Sequence, residues 1–455
     1  MKILFITNGF PPHRWAGTET YTAGIAKGLQ TRGNDIQVLC CGDWQEGANY
    51  WNGYQDSVYN DLPVRRINLN WKRSPDPFRY LYQNPVTANY LEQYLGGIKP
   101  DLVHVSSCET LSASVLEVIK LHRIPLVLSL TDFWFLCPQI NLLKSDGENC
   151  SGVTTAWECL ACLARDSKAY RLSKQFLPDW GAKTLLTTIG KIPVLSRQSG
   201  FRGLVGDMEG RKRYLRHAFS LPDIRMVASR FVQNVYEKNG FDDFVQLHPY
   251  GHDLTWLAHY HGKQSTTTIN FGFIGQIVHS KGVHLLVEAA RRLANTFGKK
   301  VNFLIYGDIR KDPEYGKQLA ALAQGVDNIQ FCGTYPREMS ADVFSKIHVL
   351  VVPSFWYDFP LIIHEAFATH TPVIATNLGG MAEAVQHNAN GLLFERGNTD
   401  DLVHQIERII DEPGLLQKLS GGIAPVKGIE EETDELEKIY RDLQRASTKL
   451  RSKER

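Results

Sequence analysis

Short runs of β-branched and other apolar residues recur along this chain, each ending at glycine, proline or serine and each followed by a segment whose apolar residues fall at helical spacing. The run over residues 2–8 predicts a buried strand, because continuous Ile, Leu and Phe leave no polar face for solvent. It stops at Gly9 and the Pro11-Pro12 pair. Thr18 then reads as the cap of a helix with Tyr21, Ile25 and Leu29 on one face, Gly33 closes that helix, and residues 36–40 supply the next strand. The same order recurs as a strand at 102–106, a helix over about 110–122 and a strand at 125–130. In the second half a strand at 270–274 leads through Gly275 to a helix bearing Val283, Leu286, Val287 and Ala290, with further strands at 303–306, 349–352 and 373–376. Strand, helix, strand alternation predicts parallel sheets covered by helices, so the expected class is α/β with two Rossmann-like, doubly wound domains.

A chain of 455 residues is too long for one core. The reading divides it into an N-terminal Rossmann-like domain at 1–255, with an insertion at about 137–220, and a C-terminal domain at 256–425. A helix over 426–455 carries Leu436, Ile439, Tyr440 and Leu443 at helical spacing, so it is expected to pack back on the N-terminal domain and fray at its basic end. Residues 250–268, rich in Gly, His, Thr and Ser, read as the hinge.

Hydrophobic residues at 43% and charged residues at 22% describe an ordinary globular protein. A net charge of +2 provides no global field for nucleic acid, which excludes that class of partner at this level. The N-terminal apolar run is shorter than a signal-peptide core, and no stretch reaches the roughly 18 to 20 apolar residues of a membrane span. A cytoplasmic protein is expected. Residues 160–219 hold 12 Lys or Arg against 4 Asp or Glu, interleaved with Tyr170, Phe176 and Trp180. That segment reads either as a solvated helical insertion or as a basic surface for the inner membrane face or a lipid-phosphate acceptor.

Three blocks carry chemistry. Gly275-Gln276-Ile-Val-His-Ser-Lys281-Gly282 lies between a strand and a helix, where glycines admit backbone amides to an anion and a lysine adds a full charge. A diphosphate suits it. The block from Val351 through Asp358, Phe359, Pro360, Leu361 and Ile362 to Glu365 places two carboxylates around a helix start just after a buried strand, where open α/β sheets bind ligands. The third block, 371–383, is a strand followed by the Gly379-Gly380 turn and Glu383.

Taken together the three blocks resemble the donor domain of the retaining GT-B transferases of glycosyltransferase family 4, in order and in spacing. The N-terminal half is similar as well, at Phe10-Pro-Pro, at Ala16-Gly17-Thr-Glu19 and at Ala228-Ser-Arg-Phe231 through Asp253. The resemblance implies two domains facing across a cleft and transfer of a hexose-type sugar, with retention, from a nucleoside-diphosphate sugar to a glycan or lipid-linked acceptor, in surface polysaccharide biosynthesis. It implies Lys281 on the donor phosphates, Glu365 on the ribose, and Asp358 at the transferred sugar. Backbone amides of Phe359, Pro360's neighbours Leu361 and Ile362, and Gly379-Gly380 would hold sugar and phosphate, beside Gly275, Gln276 and Glu383. Gly17 would close from the other domain, with Thr131 and Asp132 near the transferred sugar. No metal cofactor for catalysis is implied.

Three departures from the family pattern stand out. Gln276 occupies a position that is commonly Arg, Thr131 one that is commonly His, and Asp358 and Glu365 are seven apart rather than eight. They motivate a second reading, a catalytically weakened protein that binds nucleotide sugar or a partner transferase; an epimerase or hydrolase of nucleotide sugars is a third. Separately, Cys137, Cys150, Cys159 and Cys162 lie within 26 residues, a spacing that suits a structural zinc ion or an iron–sulfur cluster, against buried or redox-labile thiols.

Overall fold

The computed structural model describes all residues except 145–146, 165–180, 182–183, 185–204, 242–243, 299, 357–358 and 454–455. Most of the basic stretch at 160–219 therefore lies outside the described residues, as does Asp358. The chain divides into two compact units: Met1–Ala228 with Gln233–Tyr250 and Glu430–Arg455, and Gly251–Ile429 with Ser229–Val232.

In the N-terminal unit eight strands form one sheet: β1 (Lys2–Thr7), β2 (Asp35–Cys41), β3 (Trp51–Tyr59), β4 (Leu62–Leu69), β5 (Leu102–Val105), β6 (Leu126–Ser129), β7 (Ile224–Val227) and β8 (Gln246–Leu247). Their spatial order is β3-β4-β2-β1-β5-β6-β7-β8. Ile3, Leu4, Phe5 and Ile6 are wholly buried, as a central parallel strand covered on both faces requires. The β3–β4 pair is antiparallel, and Asn60 and Asp61 link the strands with φ of 47° and 64°. That is a two-residue turn of the kind whose twist matches a hairpin. The expected helix over 110–122 is shorter, Ser114–Leu121, because Thr110 and Ser112 sit at φ of 67° and 69°, a left-handed conformation that a helix cannot hold.

Thr18 is not a cap. The helix runs Gly17–Thr31 from Ala16, without a side-chain cap.

The helix Ile429–Lys453 belongs to this unit, with Leu436 and Tyr440 fully buried. The Tyr440 hydroxyl is hydrogen-bonded to His104 Nδ1, and His104 Nε2 lies 2.8 Å from Ser129 Oγ. Arg32 donates to Asp434 (2.9 Å) and to the Glu430 carbonyl (2.8 Å), and the His248 ring lies 3.5 Å from Glu432 and 3.6 Å from Glu435.

In the C-terminal unit, β9 (Ile269–Ile274), β10 (Val301–Tyr306), β11 (Ile329–Gly333), β12 (Val349–Val352), β13 (Val373–Thr376) and β14 (Gly391–Phe394) form a parallel sheet ordered β11-β10-β9-β12-β13-β14. This is the doubly wound dinucleotide-binding order, with its reversal between β9 and β12. The helix Val283–Phe297 buries Leu285, Leu286, Val287, Ala290 and Leu293 against this sheet and the helix Thr399–Asp411. Each such side chain contributes about 1.5–3 kcal/mol by leaving water. Among the described residues no helix is long and apolar enough to cross a membrane.

Candidate functional site

Open α/β sheets bind ligands at the carboxyl ends of the strands flanking the reversal, here β9 and β12. β9 runs into Gly275 and a single turn of 3-10 helix, His279–Lys281, and β12 runs into Pro353 and Ser354. The two loops are stitched together. The Phe355 amide donates to the Ser280 carbonyl (2.9 Å), and Ser354 Oγ donates to the same oxygen (3.2 Å). Gly282 sits at φ 68°, and a Cβ there would run into the Pro353 carbonyl oxygen, so only glycine allows this approach.

Gly275 and Gln276 are exposed at this turn. The Lys281 ammonium lies 4.9 Å from the centre of the Trp356 ring. The next helix starts without a side-chain cap, but the Tyr315 hydroxyl takes the His284 amide at 2.9 Å and occupies part of that start. Two further helix starts face no capping side chain: Leu361–Ala368 after Pro360, and Gly379–Ala384 after Leu378, with Gly379 at φ 51°. Phe359, Pro360, Leu361, Ile362, Gly379 and Gly380 thus lie at β12 and β13 ends with amides of helix first turns beside them.

Glu365 is mostly buried, at 14% side-chain exposure, and its Oε1 lies 3.1 Å from Arg337 Nη1. Arg337 also reaches Asp253, by Nε at 3.6 Å from Oδ2 and by Nη2 donating to the Asp253 carbonyl at 2.5 Å. Burial pushes the Glu365 carboxyl above the usual range, and Arg337 pulls it back. Beside it His252, His364 and Phe359 stack, His364 at 4.6 Å from each of the other two ring centres. Burial lowers His252 to about 3 and His364 to about 4, so both rings are neutral near pH 7. His252 Nε2 and His364 Nδ1 are buried without a hydrogen-bond partner.

Neither Arg337 nor the His252 ring is flagged by the sequence motifs. Asp253 closes one of those motifs, but nothing in the local sequence links it to Arg337. Glu383 stands apart from the sequence expectation: its two carboxylate oxygens accept the Arg230 and Phe231 amides, each at 2.9 Å, and so brace the start of the helix Arg230–Lys238.

In the N-terminal unit the reversal lies between β1 and β5, and a charged network sits at their carboxyl ends. Asn8 Nδ2 donates to Glu109 (2.8 Å), while Arg14 lies 3.1 Å from Glu19 and 3.5 Å from Glu109. Glu19 is 1% exposed, and burial raises its carboxyl pKa. Thr131 is placed at the β6 end, accepting from Thr18 Oγ1 (2.9 Å) and donating to the Ser106 carbonyl (2.9 Å). Asp132 Oδ1 accepts the Trp134 amide (2.8 Å). Gly17 opens its helix exposed, with no atom within 4 Å of where a Cβ would stand. The four clustered cysteines are half-buried in the same unit, and among the described residues no group of three or more His, Cys, Asp or Glu is arranged to hold a metal ion.

Comparison with known proteins gives these arrangements their context. The sequence family described as Glycosyl transferases group 1 matches residues 268–412, and that described as Glycosyl transferase 4-like domain matches residues 16–159, together more than half of the chain. An uncharacterized glycosyltransferase of Methanocaldococcus jannaschii is 22% identical over 91% of this chain and 90% of its own length. A 2-deoxystreptamine glucosyltransferase of Streptomyces kanamyceticus is 31% identical over 33% of this chain, and only 39% of that relative's length is matched. Among solved structures, Anabaena HepE in complex with UDP shares the fold at a TM-score of 0.64 and 15% identity, covering 97% of this chain and 100% of that one. The chain carries a glycosyl transferase 4-like domain and a glycosyl transferases group 1 domain on a GT-B fold, and it is a glycosyltransferase.

Proposed function

We propose that the protein transfers a hexose-type sugar from a nucleoside-diphosphate sugar, with retention of anomeric configuration, to a glycan or lipid-linked acceptor in surface polysaccharide synthesis. One observation carries this reading: the Gly275–Gly282 turn after β9 and the loop that leads from β12 to the helix bearing Glu365 are stitched together at the sheet reversal, through the Ser280 carbonyl, the Phe355 amide and the Ser354 hydroxyl. HepE, of the same fold, is in complex with UDP, which supports a nucleotide-activated donor.

In this reading Glu365 accepts the ribose hydroxyls, Lys281 leaves the Trp356 face for the diphosphate, and the helix starts at Leu361 and Gly379 offer amides to phosphate and sugar. As the glycosidic bond lengthens, negative charge grows on the diphosphate, and a lysine with fixed amides stabilises that state more than the ground state. Those groups carry the charge themselves, so no divalent ion is required for catalysis. Asp358, next to Phe359, serves the developing positive charge on the sugar. Thr131 and Asp132 serve the sugar from the N-terminal unit, and Gly17 leaves room for the diphosphate. The basic stretch at 160–219 holds the enzyme at the inner membrane face, a reading that rests on its composition.

The test is a panel of UDP-, GDP- and ADP-hexoses with glycan and lipid-diphosphate acceptors, the anomeric configuration of the product being read by NMR. Transfer from one donor class with retention, undiminished by brief EDTA treatment, is expected. Binding without turnover across the panel refutes the transfer reading, and an inverted product refutes retention. Loss of vesicle pelleting on removing anionic lipid tests the membrane contact; no pelleting on any vesicle refutes it.

A further inference from the structure

The N-terminal unit holds a second concentration of chemistry that sugar transfer does not use. Cys137 and Cys150 each open a tight turn in which the amide two residues on points back at the sulfur. Gln139 N–H donates to Cys137 Sγ at 3.3 Å, and Gly152 N–H donates to Cys150 Sγ at 3.4 Å. Gly152 lies at φ 81°, so the second turn depends on glycine. The Gln139 side-chain amide donates to Cys162 Sγ at 3.6 Å, and the Thr154 hydroxyl lies 3.0 Å from Cys159 Sγ. Each of the four sulfurs therefore has an N–H or O–H group beside it. The Leu143–Asn149 bridge joins the first two turns, and the helix Ala156–Ala164 carries Cys159 and Cys162 on one face, three residues apart.

Beside these thiols lies Arg211, 5% exposed, its guanidinium hydrogen-bonded to the Trp134 carbonyl. Cys137 and Cys159 are among its electrostatic neighbours. A buried guanidinium is costly unless negative charge sits close by. Neutral thiols do not supply it; thiolates do.

We propose that Cys137, Cys150, Cys159 and Cys162 form a four-thiolate site for one structural zinc ion, with Arg211, Gln139, Gly152 and Thr154 as its outer shell. Zn²⁺ takes the place of four thiol protons, which pass to solvent, and the centre carries two net negative charges, one of them offset by Arg211. The sulfurs do not stand at coordination distance in the structure. Binding draws them in to about 2.3 Å from the ion, while the amides that already face them supply the hydrogen bonds a thiolate needs. With four sulfur ligands the ion keeps no open position, so its role is to fasten residues 137–162 rather than to act on sugar.

The test is metal analysis of the full-length protein purified without chelator. One equivalent of zinc is expected, released by a mercurial thiol reagent, retained in Cys332→Ser and lost in the Cys159→Ser/Cys162→Ser double variant. Because that variant can also lose zinc by misfolding, the unaltered protein, stripped of metal and refolded, is titrated with Co²⁺. Sulfur-to-cobalt charge-transfer bands and the visible bands of a tetrahedral site, saturating at one equivalent, are expected. Absent bands, zinc well below one equivalent, iron with acid-labile sulfide in its place, or zinc held undiminished by the double variant would each overturn the proposal.

Discussion

Arg337→Met removes a charge from the centre of the Asp253–Arg337–Glu365 bracket while keeping the aliphatic stem in place. Breaking a fully buried ion pair costs about 3–5 kcal/mol. Here Arg337 is 32% exposed and Asp253 39%, so solvent replaces part of what is lost, and about 1–2 kcal/mol is expected. The stability and binding effects have opposite pH dependence. Burial already holds the Glu365 carboxyl above its ordinary value of 4.5, and Arg337 opposes that; without Arg337 it rises further. A carboxyl raised in the folded state contributes its stabilisation fully below the unfolded pKa and loses it as pH climbs through the folded value. The variant's stability therefore falls with rising pH from about 4.5 more steeply than that of the unaltered protein. In the proposed role Glu365 accepts ribose hydroxyls as the ionised carboxylate, so donor affinity improves as pH rises. At pH 6 the donor KM should be about tenfold higher, with kcat within about twofold, and the ratio should shrink toward pH 8.5. Initial rates against donor concentration, across that range, give the answer, with Glu365→Gln as the pH-insensitive control and Arg337→Lys as partial rescue. A KM ratio that is flat with pH would refute the idea that Arg337 works by holding Glu365 ionised.

Other perturbations separate chemistry from scaffolding. Lys281→Met should lower single-turnover transfer about 100-fold, since one positive charge is lost from the departing diphosphate, while leaving thermal melting nearly unchanged. Gly282→Ala should cost about 3 kcal/mol in urea unfolding, because its φ of 68° is unfavourable for alanine and the methyl meets the Pro353 carbonyl; a loss under 1 kcal/mol, on the scale of an ordinary surface change, would mean that the loops part easily. Tyr440→Phe should cost about 1–2 kcal/mol by leaving His104 Nδ1 buried without its partner, and calorimetric nucleotide binding should be unaffected.

Wherever burial is continuous the fold was legible from sequence. The strands over 349–352 and 373–376 coincide with β12 and β13, because short, β-branched-rich runs buried on both faces suit a central parallel strand. The β3–β4 hairpin was missed for the converse reason: no residue of β3 is fully buried and the strand mixes Asn, Gln, Asp and Ser, so its pairing is held by backbone, by Arg65 on Asp56 and by the Asn60-Asp61 turn rather than by an apolar face. The Gly275–Gly282 turn was readable because one glycine follows the strand and another stands at the start of the helix within eight residues. Arg337 was not, since it meets Glu365 across 28 residues and the Asp253 carbonyl across 84, and no local pattern encodes a pairing of that length. Glu383 shows how far motif logic reaches: its position after the Gly-Gly turn suggested a ligand, yet its oxygens are committed to two backbone amides.

The helix Ile429–Lys453 completes the N-terminal unit although it follows the whole C-terminal sheet along the chain. Until it arrives, the pocket walls that receive Leu436 and Tyr440, the His104 ring and the Gly28 surface against which Thr433 rests have no cover. The unit that begins first thus finishes last, after the whole C-terminal unit has been made. Nascent chains released before about residue 440 would expose an unfinished apolar seam and become early clients of chaperones or proteases, which ties the abundance of this enzyme to the integrity of the helix Ile429–Lys453.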